Sequence, residues 1–172
     1  MNYDQADQSD LEEDAQIDKY LTFTVDGEDY GIGIRFVTEI IGMQPINTLP
    51  EVPDFIKGVI NLRGKIIPVV DMRLRFGRKE AAYTDRTCIV VVETERLTAG
   101  LIVDQVSEVM VIDEGNIVPP PDVQLKDSRR YISGIGKAEE GVKLLIDCEK
   151  LFNGRETQSI EKINGEKKDE AL

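Results

Sequence analysis

The chain of 172 residues contains no histidine, no tryptophan and only two cysteines. Without histidine there is no Ser–His or Cys–His nucleophilic pair, no imidazole general base and no imidazole metal ligand. Cys88 and Cys148 stand 60 positions apart and neither belongs to a CxxC pair, which argues against a zinc site. Both lie in apolar contexts, TCIVVV and LLIDCEKLF, the setting of a buried thiol. No apolar run approaches the roughly 20 residues that a membrane helix needs. The opening MNYDQADQSDLEED is acidic and does not resemble a secretory leader. These absences together point to a cytoplasmic protein with reduced thiols.

Basic residues are also scarce, 21 against 33 acidic, for a net charge of −12. That balance argues against a general nucleic-acid binder and against an anionic membrane surface as partner. The excess is uneven. Residues 1–18 hold seven acids and no base, residues 155–172 net −1, and residues 19–154 net −4. Residues 1–18 therefore read as a disordered acidic tail and residues 19–154 as the folded body. Residues 155–172 read as a polar C-terminal tail that starts as a short helix and frays.

Catalytic motifs are missing too. There is no GxGxxG, no GxxxxGK[ST] and no GxSxG, and the acids do not space as an EF-hand loop. The pairs Asp26/Glu28, Glu93/Glu95 and Asp113/Glu114 fall at turns, where solvated carboxylates are ordinary. No cofactor and no metal is implied, and an enzyme reading has no visible apparatus.

What is present reads mainly as strands. Leu21, Phe23 and Val25 alternate with Tyr20, Thr22 and Thr24, and Asp26-Gly27 is a hairpin signal. Residues 36–41, FVTEII, read as a short helical turn stopped at Gly42. Pro45, Pro50 and Pro53 confine residues 43–54 to loop or edge strand. Two apolar runs flank Arg63-Gly64-Lys65 as a second hairpin, and Asp71 can cap a short MRLRF helix ended by Gly77. Cys88–Val92 is continuously apolar, the mark of a strand buried on both faces, and Leu101–Val103 pairs with it across a turn near Glu95. Pro119-Pro120-Pro121 forces an extended connection. Strands near 131–136 and 142–146 follow, and Asp147 caps a last helix that closes at Gly154.

The two halves echo each other. Gly31-Ile32-Gly33-Ile34 matches Gly100-Leu101-Ile102-Val103 at an offset of 69, as Val37-Thr38-Glu39-Ile40 matches Val106-Ser107-Glu108-Val109. At an offset of 76, Phe55-Ile56-Lys57-Gly58 matches Tyr131-Ile132-Ser133-Gly134, and Val70-Asp71 with Phe76 matches Ile146-Asp147 with Phe152. The ordered agreement of Gly, Glu and Asp positions favours a duplication. It predicts a mainly β protein of two intertwined five-stranded barrels around a shared apolar core, with a groove between the lobes. Val37, Ile40, Ile41 and Met43 cluster near Glu39, too many apolar groups for one short helix to bury against one lobe. Arg63, beside Gly64 and in line with Asn61 and Val59, sets a guanidinium next to apolar surface, where it can bind a partner carboxylate or carbonyl.

FIKGVINLRGKIIPVVDMRLRFG resembles the signature of the CheW family, the coupling proteins of bacterial chemotaxis. YGIGIRFVTEIIG, GLIVDQVSEVM and YISGIGK…LLIDCEKLF fit the same family in the same order, across residues 19–154. The resemblance implies two SH3-like five-stranded barrels and a non-enzymatic adaptor. Such an adaptor links the cytoplasmic tips of methyl-accepting chemoreceptors to the regulatory domain of the histidine kinase CheA. It implies assembly in rings beneath receptor arrays, alongside further family copies, and recruitment from the cytoplasm to the membrane without insertion. Carried over position by position, Arg63, Gly58 and Val109 belong to the receptor surface, and Ile34, Val37 and Glu39 to the kinase-facing side. The acidic residues 1–18 and the thiol at Cys88 depart from the family pattern. A small-barrel oligonucleotide binder is the competing expectation. It would need a basic groove with stacking aromatics, and the body nets −4.

Overall fold

A computed structural model describes residues 16–120, 131–152 and 162–163. The first hairpin joins β1 (Lys19–Val25) to β2 (Glu28–Gly33), and the next strand is β3 (Val37–Gly42). The second hairpin joins β4 (Ile56–Leu62) to β5 (Lys65–Asp71), followed by the short helix α1 (Met72–Arg75). Then come β6 (Cys88–Glu93), β7 (Thr98–Val103), β8 (Gln105–Val111) and the two-residue β9 (Ile117–Val118). The hairpin of β10 (Ile132–Ala138) and β11 (Gly141–Ile146) leads into the helix α2 (Cys148–Leu151).

The tight turns form where the sequence places them. Asp26 and Gly27 have φ of 50° and 77°, and Arg63 and Gly64 have 52° and 85°. Left-handed values at both central residues match the twist of a two-residue hairpin. Asn61 reinforces the second turn, its Oδ1 accepting from the Gly64 N–H at 2.8 Å. Asp71 caps α1 by accepting from the Arg73 and Leu74 N–H groups, and Asp147 caps α2 from Glu149 and Lys150 in the same way. Gly77, with φ of 73°, follows α1 as expected. Gly154, Pro121, residues 1–15 and the C-terminal tail apart from 162–163 lie outside the described residues.

Residues 36–41 differ from the helical expectation. Ile34–Phe36 makes one 3-10 turn, and Val37–Gly42 is a strand paired with β6. FVTEII carries four β-branched residues, Val37, Thr38, Ile40 and Ile41, and a six-residue apolar window does not separate a helix from a strand. Pairing with the buried β6 decides it. In the loop of residues 43–54, Asn47 forms an isolated bridge with Val59 of β4.

The strands form two sheets, ordered β8-β1-β2-β11-β10-β9 and β3-β6-β7-β5-β4. The order explains the internal echo. Each repeat gives its first two strands to one sheet and its later strands to the other, so the halves are interwoven. Where they meet, β2 pairs with β11 and β5 with β7, the two parallel pairings. The bulges recur as well, at Ile56/Gly58 in β4 and at Ile132/Gly134 in β10. Asp71 and Asp147 donate their N–H groups to the carbonyls of Phe55 and Tyr131, both at 2.8 Å.

A shared core lies between the sheets. Leu21, Phe23, Tyr30 and Ile32 of one sheet meet Val70, Val90, Val92 and Leu101 of the other. Ile60, Ile67, Val69, Ile89, Val91 and Ile102 form a second cluster on the far face of the second sheet, with Ile41, Met43, Ile46 and Leu62 packed on it. Cys88–Val92 thus has apolar packing on both faces, as its sequence implied. Asp104 knits the repeats at the surface. It accepts from Arg73 Nε at 2.9 Å and Nη2 at 2.6 Å, and from the Asp26 N–H at 2.8 Å. Burial pushes its carboxyl up, but these bonds and the Arg73 charge outweigh it and hold the group below its ordinary value.

Candidate functional site

Two edge strands, β3 and β8, carry the exposed apolar groups that matter. In β3, Ile40 stands opposite Val90, a fully buried member of the shared core. In β8, Val109 stands opposite Leu21, also in that core. Directly paired residues point to the same side of a sheet. Ile40 and Val109 therefore extend the shared core outward at its rims, where they remain 46% and 50% exposed. They are also equivalent positions of the two repeats, at the offset of 69. Val111, two residues on from Val109, is 62% exposed and enlarges that rim. Ile34 and Val37 lie half-buried against the core beside the Ile40 rim.

Bulges in both edge pairings are closed by threonines. Thr22 Oγ1 donates to the Glu108 carbonyl at 2.8 Å and accepts from the Glu108 N–H at 3.2 Å. Thr38 Oγ1 donates to the Val91 carbonyl at 3.2 Å. The hydroxyls satisfy backbone groups that the register shift takes out of the ladder.

Arg63 projects from the β4–β5 turn, its side chain 73% exposed, and its guanidinium pairs with the Glu39 carboxylate. β3 and β4 are the first and last strands of their sheet. The ion pair therefore links the turn that follows one edge strand to the other edge strand. Glu39 is only 26% exposed, so Arg63 is the more accessible partner. The sequence offers no signal for this contact, because the residues lie 24 positions apart on separate elements.

Gly58, carried over as a receptor contact, is packed against the loop of residues 43–54. It is buried, with φ of +146°, and a Cβ there would stand 2.0 Å from the Asn47 carbonyl oxygen. Its place in the fold is to let the Asn47 backbone approach β4 at the bulge. Val109 lies in the sheet opposite to that of the strands flanking Arg63. Of the six expected residues, Glu39 and Arg63 are brought together directly. Ile34 and Val37 share one rim, Val109 lies on the other, and Gly58 supports the scaffold.

Neither thiol takes part. Burial, with the Asp147 and Glu149 charges, pushes Cys148 up to about 12, and burial raises Cys88 as well. Among the described residues no helix is long and apolar enough to cross a membrane, and no group of His, Cys, Asp or Glu could hold a metal ion.

Comparison with known proteins places these features. The pattern of the family described as CheW-like domain matches residues 19–156. The Chemotaxis protein CheW of Klebsiella aerogenes is 34% identical over 145 residues, covering 84% of this chain and 87% of that protein. The Bacillus subtilis Chemotaxis protein CheW is 33% identical over 142 residues, covering 83% and 91%. Among solved structures, the scaffolding protein TtCheW from Thermoanaerobacter tengcongensis superposes with a TM-score of 0.74 at 40% identity, over 81% of this chain and 94% of that one. A family match across the whole folded body, with relatives above 30% identity along most of their length, means that the chain belongs to the CheW-like family.

Proposed function

We propose that this chain is a non-enzymatic chemotaxis scaffold that couples methyl-accepting chemoreceptors to the histidine kinase CheA. It does so in the cytoplasm, recruited to membrane receptor arrays, and controls the kinase through the geometry of assembly. Membership of the CheW-like family and likeness to a solved scaffolding protein support the scaffold role. The observation that carries the coupling role is the pair of apolar rims at Ile40 and Val109. Each extends the shared core to a half-exposed edge, and an exposed extension of a core is a docking surface. A receptor's helical hairpin lays its apolar ridge along the rim that holds Val109, the helix-in-groove mode, with Arg63 taking a carboxylate or carbonyl. The rim of Ile34, Val37 and Ile40, with Glu39 beside it, faces the CheA regulatory domain.

The Arg63–Glu39 pair makes the two sets of contacts neighbours. A partner carboxylate that captures Arg63 releases Glu39, so occupancy at one surface alters the charge offered at the other. Each contact is modest, and many linked copies in a ring supply avidity.

Calorimetric titration with a receptor cytoplasmic fragment and with the CheA regulatory domain tests the assignment. Val109→Asp is expected to weaken the receptor fragment by about tenfold, the loss of roughly 1.4 kcal/mol, and to spare the kinase domain. Ile40→Asp is expected to do the reverse. Equal loss of both partners in each variant would show that the two faces are wrongly divided.

A further inference from the structure

We infer that Arg75 is a positioning residue: its guanidinium, clamped between a ring of each repeat, fixes the angle between the two sheets. Arg75 is 7% exposed, a buried cation at the end of α1. Its guanidinium carbon stands 4.5 Å from the centre of the Phe55 ring and 4.3 Å from the centre of the Tyr131 ring. Nη2 donates to the Leu151 carbonyl at 3.0 Å. Cation–π contacts gain strength when they are desolvated, and a planar guanidinium can offer a face to each ring.

The identity of the partners gives the arrangement its meaning. Phe55 and Tyr131 are the same position in the two repeats, each just before its strand and each accepting the N–H of a helix-capping aspartate. Leu151 is the repeat mate of Arg75 itself at that offset of 76. A group that touches two equivalent rings at nearly equal distance, and the backbone of its own equivalent, lies where the repeats meet. Only one of the two equivalent positions is an arginine, and two cations at that meeting point would repel. Phe55 precedes β4 of one sheet and Tyr131 precedes β10 of the other. The cation therefore ties the sheets without belonging to either ladder. The shape of the rims follows from the angle it sets, a consequence that rests on the docking reading above.

A buried charge can often be replaced by an apolar side chain of similar length without loss of folding. Arg75→Met is therefore the informative variant, and backbone N–H residual dipolar couplings are the readout. In the wild-type protein, couplings from the strands of both sheets are expected to fit one common alignment tensor. In Arg75→Met each sheet still fits well alone, but the two tensors separate, and Arg75→Lys restores them in part. A single common tensor with the wild-type orientation in Arg75→Met overturns the inference. If Arg75→Met does not fold, Tyr131→Leu removes one side of the clamp and leaves the cation on Phe55 and the Leu151 carbonyl. The same separation is expected there, and its absence counts against the clamp.

Titration of the receptor fragment on the same samples keeps the two readings apart. Separated tensors with unchanged receptor affinity would uphold the clamp and remove the rims from receptor docking. A common tensor refutes the clamp whatever the affinity.

Discussion

Gly58→Ala is expected to destabilise the fold. With φ of +146° the residue lies in a region that side-chain-bearing residues avoid, at a cost of about 1–3 kcal/mol. The added Cβ would meet the Asn47 carbonyl oxygen at 2.0 Å, the Asn47 carbonyl carbon at 2.7 Å and Ile46 Cγ2 at 2.9 Å. Backbone on that side has to move. The two bonds between Asn47 and Val59, both 2.9 Å, are then lost, at about 1 kcal/mol each. Together these give about 3–5 kcal/mol, which for a chain of this length lowers Tm by roughly 10 °C. Denaturant unfolding followed by circular dichroism measures it. The midpoint is expected to fall with an unchanged slope, and receptor affinity is expected to stay near wild type once the variant is held folded. A wild-type midpoint together with lost receptor binding would refute the reasoning, because Gly58 would then act as a contact.

Four further outcomes follow from the structure. Arg63→Asp places a carboxylate beside Glu39 at an exposed turn. It is expected to weaken receptor binding while unfolding free energy changes by less than about 1 kcal/mol, since exposed pairs contribute little; a calorimetric titration beside a urea melt checks both. Asp104 has its folded value held below the ordinary one, so its contribution is present above the ordinary carboxylate value and is lost as pH falls through the folded one. Between pH 5 and 3 the wild-type urea midpoint is expected to drop more steeply than that of Asp104→Asn; parallel slopes would contradict this. Cys148 is fully buried and raised to about 12. It is expected to resist a thiol reagent at pH 8 until the protein is unfolded, while the half-buried Cys88 reacts slowly, as a time-resolved thiol count would record. Thr22→Val removes the hydroxyl that serves both backbone groups of Glu108. It is expected to cost about 2 kcal/mol and to speed hydrogen exchange along β8, as mass spectrometry would detect.

The elements legible in the sequence were those with a local cause. Asp26-Gly27 and Arg63-Gly64 carry their turns, and Asp71 and Asp147 carry their caps, in the residues themselves. The repeat offsets of 69 and 76 were legible in the residues as well. Val37–Gly42 was not legible, because its strand form depends on β6, some 50 residues away, and β preference is set by such context. Which strands the intertwined repeats exchange has the same origin, since alternation marks a strand without naming its neighbour. Of the candidate site, Val37 and Ile40 were in view as members of an apolar cluster, whereas Ile34 and Val109 came from the family resemblance. The Glu39–Arg63 contact, the burial of Gly58 and the clamp at Arg75 all depend on which strands lie side by side.

The coupling role is tested most directly by reconstitution from purified parts. A receptor cytoplasmic fragment clustered on vesicles, CheA and this chain are mixed, and the pelleted material is assayed for kinase and for phosphorylation rate. CheA is expected to sediment with the receptor in quantity only when the chain is present, with its activity altered by the assembly, and Arg63→Asp is expected to reduce its recovery. Equal recovery and equal activity with and without the folded chain would contradict the account.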